Sequence, residues 1–422
     1  MSAPTQPSQP TIITTPEERR RGIQVLFLCL LSLGMGQTIF SALLPPIARD
    51  LGLNEIEVGL MFTLSAICWT VFSPVWGRVS DKIGRKPVVL IGMAGFAVST
   101  ASFGLILMLG IRNSVSIIIL YTALVLIRAF YGVLGSGTPA AAQAYVADRT
   151  TRAERTKGVA AIGAAFGLGA IIGPGFAAVL AVVDLFLPFY LLGFIGFIGL
   201  IAAFLMLTER RRPEQFDNVP YEKLHLTDPR IRWLMIIGAS ISMVQAIIMQ
   251  VSAFFILDTL FLSNTDTTRL VGIGLMGMAM TTLFSQMVIV PKFDMSVRAM
   301  LISGCWLLVI SFGMFMLPMN ETILVASMTI SGFGFGLMRT GSVAGASLVV
   351  TSEEQGAVAG LIGSTAALGI ILVPVTAMPL YTLVSPIAPY ILGLLLSLVM
   401  LALVSGHHFA HLTRGLQHDP EV

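Results

Sequence analysis

Two basic side chains, Arg128 and Arg339, stand inside long apolar stretches of this chain, in the runs 116–147 and 322–350. A guanidinium placed in hydrocarbon costs about 2.5–3.5 kcal/mol on insertion scales, so it must face a cavity, a partner or an anion. The chemistry on offer is ion binding or ion transfer; the plainer reading is an interhelical hydrogen-bond anchor. Arg128 lies about twelve residues into its run, or ~18 Å from one end at ~1.5 Å per residue. At 100° per residue Arg128, Gly132, Gly135, Pro139 and Gln143 share one stripe, which suits a cavity lining or a close helix contact. Arg339 either binds an anionic substrate group or extends its guanidinium toward the interface. Gln37 is the one sizeable polar side chain midway through the first apolar run, and the acids near the membrane are Asp50 and Asp258, toward run ends. Asp258 is the candidate proton carrier, with a helix-terminal surface role as its alternative. Gln245, Gln250, Phe254, Phe333 and Phe335 have the chemistry of an amphipathic pocket, although ordinary helix packing accounts for each singly.

Other chemistries find little footing. Cys29, Cys68 and Cys305 sit singly in apolar runs with no ligand spacing, and read as small core residues. All five His fall in the polar linker, at the very end of the last apolar run or in the tail, which leaves no metal-ligand cluster and no Ser/His/Asp set within the apolar portion and argues against an enzyme. His407 and His411 are four apart, yet no carboxylate or Cys accompanies them, so a solvated tail is expected rather than a metal site. Gly132 to Gly137 lacks the Lys-Ser/Thr of a phosphate loop. A net charge of +3 is too small, and too confined to loops, to imply nucleic acid.

The elements that position these residues are read from hydropathy. Hydrophobic residues make up 55% of the chain and charged ones 11%, against roughly a quarter charged in soluble proteins. Apolar runs fall near 23–48, 57–77, 87–110, 116–147, 157–183 and 186–208, then 233–258, 269–291, 298–318, 322–350, 355–383 and 386–408. Each is long enough to cross a ~30 Å hydrocarbon layer. The expected organisation is an N-terminal tail 1–22, a six-helix half 23–208, a linker 209–232 rich in Arg and Pro, a second six-helix half 233–408 and a tail 409–422. With alternating sides, Arg49, Arg112 and Arg269 are the basic residues of the outer turns, and nearly all others face the cytoplasm, as do both termini. Residues 1–21 are polar, and Arg19-Arg20-Arg21 reads as a cytoplasmic anchor rather than an export signal. The halves look related. Leu168-Gly169-Ala-Ile171-Ile-Gly173-Pro174 recurs two hundred residues on as Leu368-Gly369-Ile-Ile371-Leu-Val373-Pro374, and Asp81/Arg85 has a faint counterpart in Asp294/Arg298. Duplicated units around a central site are the architecture of alternating-access carriers.

Between the second and third runs lies Gly77-Arg-Val-Ser-Asp81-Lys-Ile-Gly84-Arg85-Lys86-Pro87, a charged turn at a membrane face. Its G-x-x-x-D-x-x-G-R-K pattern resembles the loop between helices 2 and 3 of the major facilitator superfamily, with every fixed position filled. Arg128-Ala-Phe-Tyr131-Gly132 resembles that family's R-x-x-x-G motif of helix 4, implicated in proton transfer in its proton-coupled members. Gly169-x-x-x-Gly173-Pro174 is similar to the helix-5 motif of antiporters, with Ala160 and Ala177-Ala178 at positions where the family has Gly. Leu43-Leu44-Pro45-Pro46 through Gly52 looks like the helix-1 exit of twelve-helix drug:proton antiporters, although the acid that several of them carry within helix 1 is missing.

The resemblance implies an all-α membrane protein, twelve transmembrane helices in two six-helix pseudo-repeat halves around a central cavity. It implies a secondary active transporter working by alternating access, foremost a proton-coupled exporter of small amphipathic molecules such as drugs, siderophores or metabolites. Its expected setting is the bacterial inner membrane, as a monomer, with the proton gradient as driving force and no cofactor. It also implies that Asp81 and Arg85, supported by Gly77, Gly84 and Lys86, latch the cytoplasmic ends of helices 2 and 11 in the outward-open state. Two alternatives stand beside it: an importer of a sugar, organic acid or peptide in the same fold, and a membrane receptor or scaffold without flux.

Overall fold

The computed structural model describes residues 15–112, 114–149, 152–209, 228–350 and 354–406. The triple-Arg segment of the linker and the His-bearing tail lie outside them. The described residues form fourteen α-helices: α1 (Pro16–Asp50), α2 (Glu55–Ile83), α3 (Arg85–Ile111), α4 (Ile117–Gly135), α5 (Gly137–Arg149), α6 (Arg152–Leu180), α7 (Leu187–Met206), α8 (Arg232–Leu260), α9 (Asn264–Phe284), α10 (Val290–Phe293), α11 (Val297–Met314), α12 (Glu321–Leu348), α13 (Gln355–Leu383) and α14 (Ala388–Ser405). Eleven helical segments among the described residues are long and apolar enough to cross a membrane, with α4 and α5 counted together. At 29 residues, α13 is ~43 Å long and supplies the twelfth crossing. Helices therefore run alternately between the end that holds residue 16, here the tail end, and the opposite, far end.

Local chemistry sets the boundaries. Thr15 and Glu18 form a reciprocal capping box, so α1 begins at Pro16 and includes Arg19 to Arg21, ahead of the expected start at 23. Asn54 and Glu57 do the same for α2 at the far end. The fourth apolar run is not one helix: it breaks at Ser136, between α4 and α5. The eighth run carries a π-helical turn over Ser285–Ile289, just ahead of Pro291. Proline lacks an N–H and its ring crowds the carbonyl four residues back, which a wider turn relieves.

The two halves repeat each other in packing, not only in sequence. A Cβ on Gly169 would stand 2.0 Å from the Leu31 carbonyl oxygen of α1, and one on Gly369 would stand 2.2 Å from the Ser242 carbonyl of α8. Across the seam between halves, Gly272 of α9 packs on Pro174 of α6, and Gly59 of α2 packs on Pro374 of α13. Each half also has its own aromatic core. Phe40 meets Phe103 and Phe189 at 4.9 and 5.2 Å in the first; Phe255, Phe315 and Tyr390 hold the second, at 4.8 and 4.1 Å from the Tyr390 ring. Lys86 donates to the Phe204 carbonyl near the end of α7, and Arg298 donates to the Ser405 carbonyl at the end of α14. The counterpart of Lys86 in the second half is thus Arg298, while Asp294 is exposed in a left-handed turn.

The seam is closed at the far end and splayed at the tail end. Gly77 lies five helical turns from Gly59, on the same face of α2, yet a Cβ there would meet nothing within 4 Å. The face by which α6 packs on α9 at Pro174 continues toward the tail end as Gly167 and Gly163, and these too meet open space.

Candidate functional site

A chamber of about 530 Å³ lies between the halves. One wall is a stripe on α2, where Phe62, Ser65, Trp69 and Ser73 follow the spacing of a single helical face. Gln37 of α1 and Arg128 of α4 join it from the first half, with Met249 and Gln250 of α8 opposite. The cavity lies within the range of small-molecule sites, apolar with a few placed polar groups.

Arg128 is 4% exposed and held by aromatic rings rather than by carboxylates. Its guanidinium carbon is 4.1 Å from the Phe40 ring centroid, 4.8 Å from that of Tyr131 and 5.7 Å from that of Phe62. Such contacts reach about 2 kcal/mol each when desolvated, but they supply no hydrogen-bond acceptor. The Nε is enclosed without one, as is the Tyr131 hydroxyl. Across the chamber, Gln250 donates from Nε2 to the Ile370 carbonyl at 3.4 Å, while its Oε1 is enclosed with no donor.

The far end is sealed by charged groups from both halves. Arg49 of α1 contacts Glu55 of α2 at 2.5 Å and Asp258 of α8 at 3.0 Å. Tyr381 of α13 donates to the same Asp258 oxygen, and the Asn264 amide of α9 donates to Asp50. Arg49 also lies over Phe254, 5.5 Å from its centroid. Of these residues the sequence reading named Asp258 as the candidate proton carrier, Asp50 as the other acid near the membrane, and Phe254 as a pocket residue. The signal it held was that Arg49, Glu55 and Tyr381 all sit at far ends of helices that the internal repeat brings to one seam.

At the tail end the charged turn is tied within the first half. Arg85 contacts Asp81 at 2.5 Å, donates through Nε to Asp148 at 3.0 Å and donates to the Ser80 hydroxyl at 2.6 Å. Gly84 has φ 104° and ψ 162°, and a Cβ there would meet the Glu209 carboxylate, which accepts from the Lys86 backbone N–H at 2.6 Å. In the second half, Arg230 forks onto Asp228 and Glu354, tying the approach to α8 onto the start of α13. Hydrogen bonds from Arg230 hold the Asp228 carboxyl below its ordinary value.

Several expected lining residues stand elsewhere. The break at Ser136 ends the stripe that began at Arg128, and Gln143 is exposed on α5. Gly132 packs against the Ser65 carbonyl of α2, where a Cβ would come to 2.5 Å, so it sets a helix contact rather than the cavity wall. Gly169 and Gly173 serve the α1–α6 contact in the same way, and Pro174 abuts α9. Phe333 lies edge-on to the exposed Phe284, on the outer side of the bundle. Phe335 is wholly buried in the core, and Gln245 is partly buried outside the chamber. Arg339 lies three residues from Gly336, which packs on Ser285, and three from Ser342, which donates to the Leu234 carbonyl of α8. It stands between those two packed faces, exposed and without an ion-pair partner among the described residues. Trp69, Ser65 and Phe62 were not singled out from the sequence, although their spacing on α2 was readable.

The sequence model of the Major Facilitator Superfamily matches residues 26–374. Among curated proteins, the chain is 32% identical over 190 residues to Multidrug resistance protein 1 of Bacillus subtilis (strain 168), covering 45% of this chain and 44% of that protein. It is 27% identical over 237 residues to Quinolone resistance protein NorA of Staphylococcus aureus (strain MRSA252), 56% of each. It is 35% identical over 159 residues to Tetracycline resistance protein, class D, of Salmonella ordonez, 37% of each. The chain thus spans about half the length of the curated relatives it matches. Among solved structures, a bacterial homolog of the human lysosomal transporter Spinster, inward-facing and occupied, superposes with a TM-score of 0.72 at 14% identity, over 96% of this chain and 100% of that one. The nucleoside transporter NupG gives a TM-score of 0.68 at 13% identity, over 92% and 98%. At such identities the likeness concerns the fold alone.

Proposed function

This chain belongs to the major facilitator superfamily, and we propose that it is a proton-coupled exporter of small amphipathic molecules in a bacterial inner membrane, its termini in the cytoplasm. The observation that carries the reading is a chamber with two unlike ends: contacts between halves close one, and the same helix faces part at the other. Exchange of those two conditions is alternating access. The conformation described takes substrate from the cytoplasmic side, and the ordered outer seal of Arg49, Glu55, Asp258 and Tyr381 must open for release.

Export direction draws support from the relatives named for drug resistance and from the helix-5 motif, Gly169, Gly173 and Pro174. In this reading Asp81 and Arg85 latch the cytoplasmic ends when they close. Asp258 carries the proton, since it is the acid that ion-pairs across the two halves at the outer face, and Arg128 and Arg339 meet the substrate.

Everted membrane vesicles test the reading. With a pH gradient imposed, addition of a transported compound should discharge protons from the lumen while the compound accumulates there. Proton release absent for every compound tested, together with gradient-driven uptake by whole cells, would establish an importer instead.

A further inference from the structure

The deepest charges of this molecule share one sign. Every Asp and Glu within a helix lies among that helix's first or last three residues, whereas Arg128 and Arg339 stand well inside their spans. Counted from Ile117 and Glu321, they lie ~17 Å and ~27 Å from the far end. Among the described residues the middle of the bundle therefore holds the Arg128 guanidinium and no carboxylate, with the Arg339 guanidinium set further toward the tail end. Intramembrane charges are ordinarily paired with one another or with backbone carbonyls, because an isolated charge is costly there. Arg128 has neither arrangement, and three aromatic faces surround it.

From this we infer that the chamber selects amphipathic organic anions: compounds with one carboxylate or like group for Arg128 and a flat apolar body. The inference rests on the transport reading and gives that site its substrate class. An anionic oxygen at the terminal nitrogens of Arg128, which lines the chamber without a carboxylate partner, makes the charge-assisted contact that Arg is shaped to form with planar anions. The apolar body then has Trp69 and Phe62 on one side and Met249 on the other. Arg339, exposed nearer the tail end and likewise unpaired, draws the anion toward the chamber. A cationic amphiphile finds no counter-charge in the chamber and meets Arg128 as a like charge.

The test uses three nitroaromatic probes of nearly equal size, nitrobenzoate, nitrobenzamide and nitrobenzylamine, each of which quenches tryptophan fluorescence on contact. Titrated into the purified full-length protein, nitrobenzoate should quench saturably and bind at least ten-fold more tightly than nitrobenzylamine, and Trp69→Phe should remove most of the signal. Arg128→Gln should weaken nitrobenzoate at least ten-fold while nitrobenzamide binding stays within two-fold, which also shows that the variant is folded. Arg128→Lys, which keeps the charge and loses the fork, should fall between. Equal or tighter binding of the cation, or nitrobenzoate affinity unchanged in Arg128→Gln, overturns the inference. So does chloride or sulfate displacing all Arg128-dependent signal with nitrobenzoate no tighter than nitrobenzamide, which marks an inorganic anion site only. Failure of the vesicle experiment with anion selectivity intact removes export and leaves the substrate class standing; active export of cations alone does the reverse.

Discussion

Gly84 and Asp258 show how single residues set the two ends of this protein. With φ 104° and ψ 162°, Gly84 occupies a backbone region that is essentially closed to other residues and costs about 1–3 kcal/mol to force. A Cβ there also displaces the Glu209 carboxylate from the start of α3. Gly84→Ala should therefore lower the thermal unfolding midpoint of the detergent-solubilised protein, and an unchanged midpoint would refute the account. The motif made Gly84 visible in the sequence, but its reason was not, because Glu209 approaches from the end of a helix far along the chain. Asp258 acts at the far end. Its bond to Arg49 is half exposed, and such pairs are worth about 0.2–1 kcal/mol. Asp258→Asn should then shift the far end toward opening by only about 1.4- to 5-fold at ~1.4 kcal/mol per decade. The rate at which an external thiol reagent labels Thr63→Cys, in a protein lacking Cys29, Cys68 and Cys305, reads that shift. Arg49→Gln, which removes the partner of both Glu55 and Asp258, should label at least as fast; Asp258→Asn labelling no faster than the parent would show that the charge pair does not hold the seal.

At the scale of elements, α6 is one helix with two kinds of glycine. Gly169 and Gly173 let the backbones of α1 and α6 approach to where a Cβ would stand 2.0 Å from Leu31 O and 2.7 Å from Met35 O. Neither backbone can yield without parting the helices, so Gly169→Val should abolish a stably folded product, seen as loss of the monodisperse peak in gel filtration. Gly163 and Gly167 have free space around them, and alanine there gains about 0.8–1 kcal/mol of helix propensity each. The double alanine variant should keep or raise the unfolding midpoint. It should nonetheless slow transport if this face must approach α9 when the tail end closes. Undiminished transport would show that the face stays open through the cycle. The sequence reading singled out Gly169, Gly173 and the repeat at Gly369, because small residues at spacing four mark helix contacts whatever the partner, and it passed over Gly163 and Gly167, which have the same spacing. Which pair packs and which stands free depends on how α6 diverges from α9, a property of two helices that neither one encodes. Gln143 shows the same limit: its stripe with Arg128 was read along one helix, and past Ser136 it stands exposed and outside the chamber lining.

For the whole molecule, the seam is a lever with Gly59 near one end and Gly77 near the other, ~27 Å apart along one face of α2. Hydropathy and the internal repeat were enough to read twelve crossings and two related halves, since both follow from lengths and periods within single helices. The tilt of one half against the other is a property of long-range packing, and it decides which Gly is buried. Because Gly59 packs on Pro374 while Gly77 meets nothing, bulk added at Gly77 has no cost in the conformation described and a large one when the tail end closes. Gly77→Val should leave the unfolding free energy within about 0.5 kcal/mol of the parent, as for surface substitutions. It should also raise thiol labelling of a cysteine placed at Ser364, in the chamber wall, from the tail-end side. Asp258→Asn pulls the same lever the other way, so it should lower that labelling. The two sites are far apart and share no partner, so in the double variant their free-energy effects should add to within about 0.5 kcal/mol. Additive, opposed shifts identify one rigid rocking motion that both ends report; independent responses, with Asp258→Asn leaving the Ser364 position untouched, mean that the two ends of the seam open separately.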